Sequence, residues 1–313
     1  MNKITIIGTG SVGATIGYTL TVMGLASEIV LVDINEEKAL GEALDIKQGV
    51  PFCQPTNVYA GTYADAKDSN IVIITSGMAR RAEQSRLELA QANVDILKNV
   101  ADRIVKYAPN AIYVIVSNPV DILTYVFCKY TGLPESKIIG SGTILDTSRL
   151  RSRIAEIFSV NQRNVHAYVL GEHGDTAFVP WSTANVSNVL VEDYQRVAIK
   201  SMDSSAFNKL EVEDYVRNSG ASIISRKGAT FYAVSASVAH LCRCLLSGID
   251  TSLTVSTMLH GEYGIHDVCL SLINIIDNNG VIEKVMLPLN DEELMKLHRS
   301  AESLKNVIKN IKI

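Results

Sequence analysis

Gly171-Glu172-His173-Gly174-Asp175 closes an apolar run over residues 167–170. A histidine at the end of such a run, between glycines, is held by its backbone rather than packed into a core. Imidazole titrates near neutrality, so it is the side chain best suited to hand a proton to a carbonyl oxygen and take it back. Leu145-Asp146-Thr147-Ser148-Arg149-Leu150-Arg151 supplies two companions. Asp146 can hold one ring nitrogen of His173 and favour its charged form. Arg149 follows one helical turn later, on the same face. Its guanidinium matches a carboxylate with two parallel hydrogen bonds. Asn118 stands at a strand end in Val116-Ser117-Asn118-Pro119-Val120-Asp121. The polar, glycine-started stretch from Thr75 to Arg86 runs into a helix and suits a lid, with Arg86 able to polarise a carbonyl. Together these groups fit the reduction of a carbonyl beside a carboxylate, given a hydride donor.

The donor has a place at the start of the chain. Gly8-Thr9-Gly10-Ser11-Val12-Gly13 is a GxGxxG between an apolar strand-like run and a helical one. Gly8 permits the tight turn, Gly10 lets a pyrophosphate approach the backbone, and Gly13 lets helix and strand pack closely. The helix N-terminus then offers free N–H groups to the phosphates. Asp33 ends the next apolar run, 20 residues past Gly13. A carboxylate there accepts from ribose hydroxyls and repels a 2′-phosphate, which predicts NAD rather than NADP.

The elements that must position these residues follow from periodicity. Runs 3–7, 29–33, 71–75 and 112–116 are rich in Val and Ile, as strands buried on both faces are. Helical stretches 12–22, 36–48 and 85–107 lie between them, which predicts a parallel sheet with right-handed crossovers. Beyond, 143–158 reads as a helix, 161–170 as a strand, and 203–225 and 233–246 as helices. Runs 252–259, 268–276 and 281–286 read as strands, the last two joined at Asn279-Gly280. Asn290-Asp291-Glu292-Glu293 has the form of a capping box opening a final helix. The expected fold is α/β: a Rossmann doubly wound parallel sheet over residues 1–142, then an α+β catalytic domain over 143–313, tightly joined.

Composition narrows the class. Of 313 residues, 47% are hydrophobic and 20% charged, with a net charge of −4, so no basic field exists to draw nucleic acid or an anionic membrane. Apolar runs fall far short of the ~20 residues of a membrane span. No leader precedes the first strand, so the cytoplasm is the expected compartment. Cys53, Cys128, Cys242, Cys244 and Cys269 read as buried reduced thiols. Neither Cys242-Arg243-Cys244 nor His240, His260, His266 and His298 has metal-ligand spacing, so no metal is expected.

Over essentially its whole length the sequence resembles the L-lactate/malate dehydrogenase family, in residues 8–13, 29–33, 117–121, 140–151, 166–175 and 227–230. The resemblance implies that His173 is the proton donor and acceptor with Asp146 its partner. It implies that Arg149 anchors the substrate carboxylate and that Arg86 is the lid arginine. Gly8, Gly10, Val12, Gly13, Asp33, Ser76, Gly77, Ser117 and Asn118 would contact NAD, with Asn118 and Thr230 also facing substrate. Glu172, Trp181 and Thr230 look lactate-like, whereas Arg80 holds the lid position where malate enzymes carry arginine. L-lactate/pyruvate is the expected pair, with L-malate/oxaloacetate the alternative. A non-catalytic NAD-binding protein is the alternative of another class, and the intact His173, Asp146, Arg149 and Arg86 set argues against it. A homodimer or homotetramer is implied, with the apolar face of helix 36–48 as a contact. Arg151 and His166 match positions where allosteric relatives bind fructose 1,6-bisphosphate.

Overall fold

The computed structural model describes residues 2–78, 86–197 and 207–313, the side chains of Arg86 and Gln195 excepted. The first half alternates strand and helix: β1 (Lys3–Ile7), α1 (Ser11–Val22), β2 (Glu28–Val32), α2 (Glu36–Gly49), β3 (Asn57–Ala60), β4 (Ile71–Ile74), α3 (Arg86–Tyr107), β5 (Ile112–Ile115), α4 (Val120–Thr131) and β6 (Ile138–Gly140). The second half contains α5 (Ile144–Phe158), β7 (Val165–His166), β8 (Asn185–Val186), β9 (Val189–Leu190), α6 (Val191–Val197), α7 (Lys209–Lys227), α8 (Tyr232–Ser247), β10 (Thr251–His260), β11 (His266–Asp277), β12 (Gly280–Val285) and α9 (Asp291–Ile308).

β1 to β6 form a parallel sheet in the order β3-β2-β1-β4-β5-β6, which reverses direction at β1 and β4. Ligands in such sheets bind outside the carboxyl ends of the strands at that reversal. The sheet does not stop at residue 142. β10 pairs antiparallel with β6 through Ser256 and Gly140, and β11 and β12 extend the sheet further. Strands β4 and β5 are buried at every residue, so Val and Ile fill both faces. One apolar core packs α3, α4 and α9 against one face. A second packs α1 and α8 against the other. A third sits under α5 and α7, around Trp181 and Phe158.

Most sequence expectations hold, and the exceptions have physical reasons. Residues 161–170 are not one strand. A short turn capped by Asn161 comes first, only Val165–His166 pair in β7, and Leu170 and Gly171 bridge to Phe178 and Ser271 instead. β3 and β6, of four and three residues, are too short to give a period. α4 is buried through nine successive residues, Val120 to Cys128, so it lacks the polar stripe that marks a helix in sequence. α7 starts at Lys209 because the Asn208 side chain accepts from Leu210 N and Glu211 N; residues 203–206 lie outside the description. The Asn279-Gly280 turn and the capping box, Asn290 with Glu293, are both present. Among the described residues no helix is long and apolar enough to cross a membrane. Cys128, Cys242, Cys244 and Cys269 are buried and Cys53 partly so, all as free thiols.

Candidate active site

The glycine-rich turn has the geometry its sequence requires. Gly8 has φ +98°, where a Cβ would also lie 2.7 Å from Ser76 N. A Cβ on Gly13 would lie 1.9 Å from Gly8 O, so only glycine lets α1 come this close to β1. A Cβ on Gly10 would meet nothing within 4 Å, which leaves its surface open. Gly10 caps α1 with no side-chain hydrogen bond, so the first N–H groups of the helix keep their positive end free. Ser76 Oγ nearby is buried and has no hydrogen-bond partner among the described residues. Asp33 accepts from Thr9 N at 2.6 Å, Thr9 Oγ1 at 3.1 Å and Asn35 N at 2.9 Å. Burial raises its pKa, but these hydrogen bonds outweigh it and hold the group below the usual carboxylate range. An open glycine cradle, a free helix N-terminus and an ionised carboxylate beyond them fit a dinucleotide with an unphosphorylated ribose.

From that turn a cleft of about 510 Å³ runs to the second half of the chain. Val12, Gly77, Ser117 and Asn118 line one part; Asp146, Arg149, His173 and Thr230 line the other. Eight residues singled out in sequence thus meet across 218 positions of chain. Gly8, Gly10, Gly13, Asp33 and Ser76 lie beyond this lining, along the glycine-rich turn. Arg80 lies outside the described residues; the backbone of Arg86 opens α3, and its side chain lies outside them too.

The chemical end is built around one buried carboxylate. Asp146 Oδ2 is 2.5 Å from His173 Nδ1, and Asp146 Oδ1 accepts from the Arg149 guanidinium at 2.7 Å. Arg149 is therefore not a free clamp, yet a guanidinium carries five N–H donors and keeps others for a ligand. Burial disfavours a charged His173, but the Asp146 charge and hydrogen bond outweigh it, and Asp121 adds to them. The imidazole is pushed up to about 9. For Asp146, burial is overcome by His173 and Arg149, and its carboxyl is held low. His173 is thus protonated at neutral pH, and among the described residues its hydrogen bond is made by Nδ1, which leaves Nε2 for a ligand.

Several supporting residues were not singled out in sequence. Asn93 on α3 is buried; its Oδ1 accepts from Met78 N at 2.7 Å and its Nδ2 donates to Asn118 O at 2.7 Å. It ties the root of the lid stretch to the end of β5. Ser300 on α9 accepts from Glu172 N at 2.7 Å and touches the Thr176 hydroxyl, fixing the His173 loop from behind. Thr147 Oγ1 accepts from Val169 N, joining α5 to the same loop. Gly220 sits mid-helix in α7, where a Cβ would lie 3.8 Å from the Arg149 guanidinium. Only a glycine within a helical run signals it, since the contact spans 71 residues. Trp181 donates Nε1–H to buried Glu213 at 2.7 Å. Arg151 and His166 lie outside the cleft lining. Arg151 donates Nε–H to Ala167 O and stacks over Tyr168, while His166 is exposed.

Comparison with known proteins places this arrangement. Residues 2–140 match the lactate/malate dehydrogenase NAD binding domain, and residues 143–313 match the lactate/malate dehydrogenase alpha/beta C-terminal domain. The chain is 45% identical over 313 residues to an L-lactate dehydrogenase of Thermoanaerobacterium saccharolyticum, covering 100% of both. It is 44% identical to an L-lactate dehydrogenase of Acetivibrio thermocellus, covering 100% of this chain and 98% of the other. Among solved structures, the minor L-lactate dehydrogenase of Enterococcus mundtii aligns with a TM-score of 0.94 at 37% identity, covering 100% of this chain and 99% of that one.

Proposed function

Because the chain belongs to the lactate/malate dehydrogenase family, we infer that it uses NAD to interconvert L-lactate and pyruvate. The malate alternative raised by Arg80 is not favoured, since the relatives described above are L-lactate dehydrogenases. The observation that carries the reading is the His173–Asp146–Arg149 constellation at one end of the cleft, with the glycine-rich turn beyond the other.

When bound, the reduced cofactor NADH would supply the hydride in reduction, and NAD⁺ would take it up in oxidation. The chain's own groups manage charge. His173 gives a proton to the oxygen that becomes the alcohol and removes it in the reverse direction. Asp146 holds Nδ1, so the proton at Nε2 is the one exchanged. Arg149 binds the substrate carboxylate, Arg86 polarises the carbonyl, and Asn118 and Thr230 border the remaining atoms. The proposed division at 142/143 puts the glycine-rich turn and Asp33 in the first part and Asp146, Arg149 and His173 in the second, with Arg86 and Asn118 of the first part also facing substrate.

The test is a turnover series of pyruvate, oxaloacetate and longer 2-oxo acids, following NADH absorbance. Pyruvate is expected to have the highest kcat/KM; a higher value for oxaloacetate overturns the reading and assigns Arg80 to a second carboxylate. A further expectation concerns Asp33. Asp33→Ser removes the charge that repels a 2′-phosphate, so NADH should bind more weakly and NADPH use should rise. Equal native use of NADPH would remove Asp33 from this role.

A homo-oligomer in the cytoplasm is also proposed, with one correction. The apolar stripe of α2 is not available for contact: Ala39, Ala43 and Ile46 pack into the chain's own core. Leu40 and Leu44 of α2, and Tyr18 and Val22 of the adjoining α1, remain exposed and offer outward apolar surface. Sedimentation at micromolar concentration should give at least a dimer. Arg151 and His166 are proposed as a phosphate pair between subunits. A lowered pyruvate KM with fructose 1,6-bisphosphate supports this, and indifference at millimolar levels ends it.

A further inference from the structure

Asp121 is a buried carboxylate to which the mechanism above gives no part. It sits in the first turn of α4, only 3% exposed. Its Oδ2 accepts from His173 N at 2.8 Å, and its Oδ1 accepts from the Ser256 hydroxyl on β10 at 2.5 Å. Among the described residues it forms no ion pair with lysine or arginine. A buried carboxylate without a fixed cation is costly, because desolvation is repaid only by close partners. The two donors and the helix N-terminus repay part of that cost. Among the described residues, the imidazolium of His173 is a cation within electrostatic reach.

We propose that Asp121 is a positioning residue for the proton-transferring histidine: it pins the His173 backbone to α4 and β10 and sets a second negative charge against the imidazolium. The proposal rests on the role assigned to His173. Two carboxylates then bracket one histidine, Asp146 through the ring and Asp121 through the backbone.

The electrostatic surroundings agree. His173 faces Asp146 and Arg149 from α5 and Asp121 from α4. Asp121 faces Ser256 from β10, Cys269 from β11 and Glu172 from the His173 loop. Burial raises the Asp121 carboxyl to about 6, with the Ser256 and His173 hydrogen bonds opposing, so it is largely ionised at neutral pH. Its charge adds to that of Asp146 in raising His173.

The test is Asp121→Asn in the full-length protein, read as the pH profile of kcat/KM for pyruvate reduction. Asparagine keeps an acceptor for His173 N and removes the charge. The alkaline limb is expected to move to lower pH, on the order of one unit, with NADH affinity, read by fluorescence, unchanged. Ser256→Ala supplies a second arm. It removes a hydrogen bond to Asp121 but leaves the carboxylate ionised near pH 9, so here the limb should stay in place; a limb that moves as far as in Asp121→Asn would overturn the charge argument. In Asp121→Asn, a lower rate at all pH values with an unmoved limb would reduce Asp121 to a structural group and overturn the proposal. An Asn variant indistinguishable from native would do the same. Either failure leaves native pyruvate turnover standing; near-native turnover after loss of the His173 imidazole would instead remove the histidine reading beneath it.

Discussion

His173→Gln is expected to leave NADH binding near native and to lower pyruvate turnover by about 10²–10⁴-fold, the usual worth of a positioned acid or base. Glutamine can still donate a hydrogen bond to the substrate oxygen, but it cannot release a proton. The proposed cofactor cradle lies beyond the other end of the cleft, from Gly8 to Asp33, so NADH affinity is a fair control. Single-turnover absorbance for chemistry and fluorescence for binding separate the two. Near-native turnover would exclude His173 from proton transfer.

The pH dependence follows from the same group. Burial works against the charged imidazole, but Asp146 and Asp121 raise it to about 9. Reduction needs the protonated form, so its rate should hold through neutrality and fall as pH rises through about 9. Oxidation needs the neutral form and should rise through the same range. Stability has the sign of the first. The raised imidazole contributes fully below the ordinary histidine range, and its contribution is lost as pH rises through about 9. Asp146, held low, contributes above the ordinary carboxylate range and loses that contribution on acidification.

Arg149→Lys is expected to act chiefly on substrate binding. The native guanidinium already gives one N–H to Asp146, at 2.7 Å, and in the proposed role uses its remaining donors on the substrate. An ammonium can hold Asp146 or meet a carboxylate as a point charge, but it cannot reproduce a planar pair of bonds. Losing the paired, desolvated geometry is expected to cost about 2–3 kcal/mol, or roughly 30- to 150-fold in kcat/KM. The loss should lie in pyruvate KM more than in kcat, with NADH binding unchanged. A normal KM would take Arg149 out of the site.

Much of this was legible in the chain. The glycine spacing and Asp33 are local, because a tight turn, a close backbone approach and a strand-end carboxylate each depend on neighbours in sequence. Asp146 and Arg149 are likewise local, being one helical turn apart. The βαβ order follows from runs of Val and Ile alternating with amphipathic helices. Where those signals fail, the structure departs from expectation. α4 is buried along most of its length and carries no polar stripe. β6 has only three residues, yet it joins the parallel strands to β10 and makes one sheet of both halves.

The residues that hold the site from outside belong to tertiary structure alone. Asp121 meets His173 across 52 positions and Ser256 across 135. Ser300 reaches Glu172 across 128. Neither a period nor, for Asp121, its place in the 117–121 stretch says which group such a side chain meets; the partner is chosen only when strands and helices from distant segments close together. Sequence determined which side chains are proposed to carry the proton, the carboxylate and the cofactor, because those proposals depend on residue type and local spacing. Folding decided that His173 sits between two carboxylates at about 9 rather than near its ordinary 6.5, because burial and the approach of charge are properties of packing.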